Sequence, residues 1–170
     1  AGPAVSVAAC LIALALVTVG LLSSTFHLGH PERAWRAMTQ WKSSWLSREG
    51  VFAVLTYPAA LLFTAGWIWS PTAGSVMTLA AAATVVLSML TVYCTSMIYA
   101  SLKTIPRWSN AFVMPVYMAF ALASGGLLFA VTLSVSGAAT KPALVLLLLV
   151  LLAAWLIKWN YWRFIDRQKV

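Results

Sequence analysis

Residues 142–157 read PALVLLLLVLLAAWLI, and no charged side chain interrupts them. A helix needs about 20 mostly apolar residues to cross the hydrocarbon of a bilayer. The apolar and aromatic run continues to Trp162, so we predict a span from about Pro142 to Trp162. Because backbone polar groups in lipid must pair within their own segment, this span is expected to be an α-helix.

The rest of the chain repeats this pattern. It is 62% hydrophobic and 8% charged, whereas soluble domains carry about 25% charged residues. A soluble domain is therefore excluded. The predicted fold class is all-α, a polytopic transmembrane helix bundle with about five spans in a single transmembrane domain, residues 1–170. The other predicted spans cover residues 3–26, 50–69, 72–100 and 111–134.

The loops between these spans differ in length and charge. Two links, at Ser70 to Thr72 and at residues 136–141, are short and nearly free of charge. The opposite face carries residues 27–49, 102–110 and a basic tail, and it holds every Lys and Arg except Lys141. The positive-inside rule places this basic face in the cytoplasm, although a basic face also suits docking of an acidic protein.

The net charge of +8 does not indicate a nucleic-acid partner. The basic residues stand at the ends of apolar runs, where they set topology and bind lipid headgroups. Cys10 and Cys94 both lie within apolar segments. No CxxC motif is present, so the sequence predicts neither a zinc site nor a redox thiol pair.

The interfacial loop, residues 27–49, has a pattern of its own. Trp35, Met38, Trp41 and Trp45 recur at spacings of three or four. Two interpretations remain open. The loop forms an amphipathic helix in the membrane interface, or these residues belong to an ordinary aromatic belt.

Two ionisable residues stand out at the edges of the predicted spans. His27 follows the first span, and an imidazole exchanges protons near neutral pH. Glu49 opens the second span, where a carboxylate is also favoured simply by the helix dipole. His30 shares a loop with His27, so this chain offers no facing histidine pair for haem. The residues alone therefore predict a polar, aromatic and basic face, but not a reaction.

Three segments on that face resemble one family. Residues 27–37, HLGHPERAWRA, resemble the HLGxPxRA stretch of the dimethyl sulfoxide reductase anchor-subunit family (DmsC type), and residues 43–49, SSWLSRE, continue the likeness. Residues 99–108, from Tyr99 through TIPRW (104–108), are similar to a second loop of that family, which has the pattern Tyr…Thr-(Val/Ile)-Pro-x-Trp. Residues 161–166, YWRFID, resemble its tail.

The resemblance implies a function. Members of the family anchor a molybdopterin catalytic subunit and an iron–sulfur subunit on the bacterial inner membrane. They bind menaquinol or ubiquinol and pass electrons between the quinone pool and the iron–sulfur subunit, with neither haem nor metal in the anchor itself. Members have about eight spans, so this chain is expected to be a fragment that corresponds to the second to sixth.

The resemblance also implies site residues. His27 matches the family histidine associated with quinol binding, and Glu49 matches its acidic partner; both are predicted to act in proton transfer. Arg33, Tyr99 and Trp108 are predicted as further quinone contacts, because they fall within the matched segments. The chain is thus interpreted as a quinol-oxidising or non-catalytic subunit. Two alternatives are a small multispan transporter and a scaffold without redox function.

Overall fold

The computed structural model describes residues 3–27, 29–69 and 74–168. Five α-helices and one 3₁₀ helix account for most of these residues, and no strand occurs among them. Each α-helix is long and apolar enough to cross a membrane. The predicted all-α transmembrane bundle with five spans is therefore confirmed. In chain order the elements are α1 (Pro3–Phe26), the 3₁₀ helix (Pro31–Met38), α2 (Trp45–Trp69), α3 (Gly74–Ala100), α4 (Val113–Val135) and α5 (Lys141–Arg167).

Two helices extend beyond the predicted spans. Helix α2 begins at Trp45 instead of Gly50, because the hydroxyl of Ser44 accepts a hydrogen bond from the Ser47 N–H (3.4 Å) and so caps the first turn. Helix α5 runs on to Arg167, since neither Pro nor Gly interrupts it after Trp162. The predicted turn at Ser70 to Thr72 lies outside the described residues.

Buried positions are mostly small residues, and large apolar residues are mostly exposed. Among the described residues, alanine and serine make up most of the buried set. Large apolar side chains remain exposed, for example Leu79 (70%) and Leu156 (63%). In lipid, small residues let helix backbones approach closely, whereas large apolar side chains face the acyl chains. The buried residues are Ser47, Ala53, Thr64, Ala80, Cys94, Ser96, Val113, Ala123, Leu133 and Ala154.

The chain divides into two compact units, residues 1–91 and 92–170. In the first unit, α1 packs against α2, and the 3₁₀ helix contacts both. The hydroxyls of Thr18 and Tyr57 hydrogen-bond across this helix pair (2.9 Å). Cys10 and Phe63 line the same apolar cavity between these helices. Cys10 precedes Thr18 on α1, whereas Phe63 follows Tyr57 on α2. The two helices therefore run in opposite directions.

In the second unit, a tight link joins α4 to α5. Gly137 adopts φ +67°, its N–H donates to the Ser134 carbonyl (3.1 Å), and the Ala138 N–H donates to the Leu133 carbonyl (2.8 Å). This pair of bonds is the Schellman motif, which favours glycine at the left-handed position. Further along the pair, a Cβ on Gly126 would lie 3.1 Å from Leu147 Cδ1, so the two helices approach closely there.

Candidate functional site

His27 lies directly after the last residue of α1, and its side chain is exposed. Its Nδ1 is 2.7 Å from the carbonyl oxygen of Ser23. A carbonyl oxygen only accepts hydrogen bonds, so Nδ1 must carry the ring proton. In the neutral imidazole the other nitrogen, Nε2, is then a proton acceptor. Among the described residues Nε2 has no hydrogen-bond partner, so it is available as a proton acceptor.

The antiparallel packing of α1 and α2 relates His27 to Glu49. His27 lies nine residues after Thr18, and Glu49 lies eight residues before Tyr57. At 1.5 Å per helical residue, these positions are about 13 and 12 Å from the Thr18–Tyr57 hydrogen bond, in the same direction. The two predicted proton-transfer residues therefore stand at the same level of the helix pair.

The expectation that Glu49 opens α2 is wrong. The helix begins at Trp45, and no acidic residue occurs in its first turn. Stabilisation of a carboxylate by the helix dipole is concentrated in that turn, so the dipole does not explain why Glu49 occupies its position. The side chain of Glu49 is half-buried, whereas glutamates in proteins are mostly exposed.

Arg33 belongs to a small polar cluster on the 3₁₀ helix. Glu32 Oε1 lies 3.1 Å from His30 Nδ1 and 3.6 Å from Arg33 Nε. All three side chains are more than half exposed. This exposure leaves the guanidinium of Arg33 open to a ligand or a protein partner at the membrane surface.

The interfacial loop is held against α2 by two residues that the sequence did not indicate. The hydroxyl of Ser47, which is buried, accepts from the Gln40 N–H (3.1 Å) and donates to the Ala37 carbonyl. Arg48 donates from Nε to the Trp41 carbonyl (3.0 Å) and from Nη2 to the Lys42 carbonyl (2.8 Å). Arg48 thus serves to clamp the loop and is less available for docking.

The loop is not one continuous amphipathic helix. Of the four residues in the predicted stripe, Trp35 and Met38 lie on the 3₁₀ helix, Trp41 lies in a turn, and Trp45 begins α2. Trp41 packs edge-on against Phe52 with ring centroids 5.3 Å apart. The even spacing in sequence therefore reflects several local structures and not a single helix face.

Tyr99 and Trp108 come together in the second unit. Their rings meet edge-on with centroids 5.3 Å apart, and Tyr99 also stacks on Tyr117 (5.6 Å, 25°). These rings line a cavity of about 290 Å³. The other lining residues are Val113, Val116, Lys158 and Tyr161.

Lys158 and Tyr161 also line this cavity. The sequence places Lys158 among the ionisable residues at the edge of a span and Tyr161 at the start of the YWRFID segment, but neither was predicted as a quinone contact. Their spacing of three within α5 puts them on one helix face, and this spacing was the available signal. Lys158 Nζ lies 4.6 Å from the centre of the Tyr161 ring and 5.6 Å from that of Trp162. The hydroxyl of Tyr161 donates to the Arg107 carbonyl (2.9 Å), which ties the loop before α4 to α5.

These observations define a multi-pass membrane protein whose candidate site residues lie at the ends of apolar helices. The chain belongs to the DMSO reductase anchor subunit family, whose sequence pattern matches residues 3–160. This membership confirms the family expected from the three segments. The chain is 37% identical to a subunit of the sulfite dehydrogenase of Allochromatium vinosum, in a match that covers 71% of this chain and 40% of that protein. The chain thus spans less than half the length of that relative. No solved structure matches it.

Proposed function

We propose that this chain is the membrane anchor of a molybdopterin and iron–sulfur oxidoreductase, and that it exchanges electrons between a quinone and the iron–sulfur subunit. Membership of the anchor family supports this proposal, as does the name of its relative, which is part of a dehydrogenase. Electrons pass from quinol to cluster, or the reverse, without haem in this chain. Menaquinone is the favoured quinone, on the resemblance of the HLGHPERAWRA segment.

The observation that carries the proposal is the hydrogen bond between His27 Nδ1 and the Ser23 carbonyl, because it leaves Nε2 as the proton acceptor. A quinol supplies two electrons and two protons when it is oxidised. The Ser23 carbonyl holds the Nδ1 proton of His27 (2.7 Å), so Nε2 accepts a proton from a quinol hydroxyl at the end of α1. A base oriented by a second group is the usual arrangement in proton-transfer sites.

Glu49 is the second proton-transfer residue of the proposed site. It stands at the level of His27 on the neighbouring helix and is half-buried, so it either receives the second proton or passes a proton onward to water. Arg33, on the 3₁₀ helix that contacts both α1 and α2, hydrogen-bonds a quinone oxygen. In the second unit, the rings of Tyr99 and Trp108 offer a flat aromatic wall to a quinone head group.

The same proposal includes the docking of partner subunits on the basic face. Nearly all the cationic residues flank these helix ends, and a positive surface steers and orients an acidic partner. Since electrons leave this chain without haem, the iron–sulfur subunit must dock near the quinone. By the positive-inside rule, this face is cytoplasmic in a bacterial inner membrane.

The test is quinone-linked turnover of the assembled complex with His27→Gln. Glutamine keeps the polar character of the side chain but accepts no proton. Loss of a positioned base costs about 10²- to 10⁴-fold in rate, and we expect a loss in this range. Turnover with a viologen dye, which exchanges electrons with the partner subunits directly, should be unchanged.

His30→Gln is the matched control, because His30 lies in the same loop and pairs with Glu32 instead. We expect it to retain nearly normal quinone-linked turnover. Equal turnover of His27→Gln and the unaltered complex would refute the assignment of His27. Complexes that assemble but never react with quinone would favour the scaffold, and purification of the chain without redox partners would favour the transporter.

A further inference from the structure

Lys158 has an unusual environment for a lysine beside lipid. It is half-buried and follows directly on the apolar run that ends at Ile157. Asp166 is the one acidic residue between positions 92 and 170, and it stands eight residues further along the same helix, a rise of about 12 Å. Among the described residues Lys158 forms no ion pair. Its ammonium group instead lies over two aromatic rings of the same helix.

Those rings fix the position of the ammonium group. Lys158 Nζ contacts the faces of Tyr161 (4.6 Å) and Trp162 (5.6 Å), and such cation–π contacts hold a lysine head in place. Tyr161 is itself fixed through its hydrogen bond to the Arg107 carbonyl. A cation with no counter-ion, held at the wall of a cavity, is suited to a ligand that offers an electron-rich oxygen.

The rest of the cavity wall indicates the shape of that ligand. Four of the seven lining residues carry aromatic rings, two are valines, and Lys158 supplies the only cation among them. Flat rings pack against aromatic side chains in stacked or edge-on contacts. Phosphate groups are often bound by bidentate arginine side chains, and no arginine is among the residues that line this cavity. A planar ring with one carbonyl oxygen matches the lining better than an anionic lipid head group does.

The size of the cavity sets a further limit. At about 290 Å³ its volume lies just below the usual range for small-molecule sites, roughly 300–1,000 Å³. It therefore suits a ring system of one or two fused rings, with any long tail left outside in the lipid.

We propose that this cavity holds the head group of a quinone, and that Lys158 donates a hydrogen bond to one of its carbonyl oxygens. The inference rests on the proposed function and adds Lys158, Tyr117 and Tyr161 to the quinone contacts. The ammonium group also favours any negative charge that develops on that oxygen. Lys158 is thus a binding residue, distinct from the proton-accepting His27.

The experiment measures binding and not turnover. The complete complex is placed in lipid nanodiscs, and the dissociation constant of 2,3-dimethyl-1,4-naphthoquinone is determined by equilibrium dialysis. Lys158→Met removes the charge but keeps an unbranched chain, and we expect about 10- to 100-fold weaker binding from the loss of a charged hydrogen bond. Lys158→Arg keeps an ionised hydrogen-bond donor and should bind within about fivefold of the unaltered complex.

A second variant tests the cavity independently of the lysine. Val116→Phe fills the space with a bulkier side chain, and we expect it to weaken binding as well. Lys141→Met, on the same helix but outside the cavity, and Val135→Phe, at the exposed end of α4, are the matched controls. Both should bind the naphthoquinone normally.

Several outcomes would overturn the inference. Unchanged binding by Lys158→Met would do so, and equal weakening by Lys158→Met and Lys158→Arg with normal binding by Val116→Phe would do so too. A Lys158→Met complex that binds naphthoquinone normally but loses tightly bound phosphatidylglycerol would assign the cavity to a lipid. If His27→Gln still abolished turnover in these cases, the proposed function would stand without the cavity. An unaltered complex that neither binds nor oxidises quinol would refute the proposed function itself.

Discussion

Replacement of Ser47 by alanine should loosen the interfacial loop that carries Arg33. The Ser47 hydroxyl makes two hydrogen bonds to this loop, from the Gln40 N–H and to the Ala37 carbonyl. Each such bond contributes about 0.5–1.5 kcal/mol net. Because Ala37 and Gln40 are exposed, hydrogen bonds to water replace part of the lost stabilisation. We therefore expect the free energy of loop opening to fall by about 1–2 kcal/mol.

Amide hydrogen exchange measures this change directly. A decrease of about 1–2 kcal/mol in the free energy of loop opening raises the open fraction about 5- to 30-fold. The Gln40 amide should therefore exchange faster by that factor. Ser101→Ala is the control, because Ser101 donates only to the Ile98 carbonyl in its own turn (3.0 Å). The reasoning would be refuted if Ser47→Ala left exchange in residues 31–43 unchanged, or if both variants accelerated it equally.

Two further predictions concern helix packing and topology. At a helix position with free space, Gly→Ala raises the free energy of unfolding by up to about 1 kcal/mol. A Cβ added at Gly125 has no atom within 4 Å, so Gly125→Ala should raise the unfolding temperature. Gly126→Ala places a Cβ 3.1 Å from Leu147 Cδ1 and should lose that gain; equal temperatures would contradict the close approach of α4 and α5. A fluorescent-protein reporter fused after Val170 should fluoresce while a phosphatase reporter stays inactive, and the opposite pattern would place the basic face outside the cytoplasm.

The sequence was sufficient to predict the transmembrane fold because lipid imposes so few alternatives. A run such as residues 142–157 has to be helical in a bilayer, and its length was close to that of a span. The ends of helices were less predictable, since they depend on single local bonds. The Ser44 cap that starts α2 at Trp45 is one example, and the absence of a helix breaker after Trp162 is another.

The candidate site was predictable only in part. His27 and Glu49 were indicated by their position and by the family resemblance, but the proton acceptor on His27 follows from the contact with Ser23. Tyr99 and Trp108 were indicated by the resemblance, but the cavity itself could not be predicted, because Lys158 lies far from both in sequence and meets them only in the folded second unit. Lys158 in particular was indicated only as an ionisable residue at the end of a span, with no partner or ligand.

The central claim is that this chain joins a quinone to an iron–sulfur partner, and the most direct test is electron transfer between the two. The purified complex is reduced with dithionite, freed of excess reductant and mixed with 2,3-dimethyl-1,4-naphthoquinone, while the clusters are followed by electron paramagnetic resonance. We predict that the signal of the reduced clusters decays and that naphthoquinol forms, much more slowly in His27→Gln. Clusters that stay reduced in the unaltered complex, with the quinone recovered unchanged, would contradict the account.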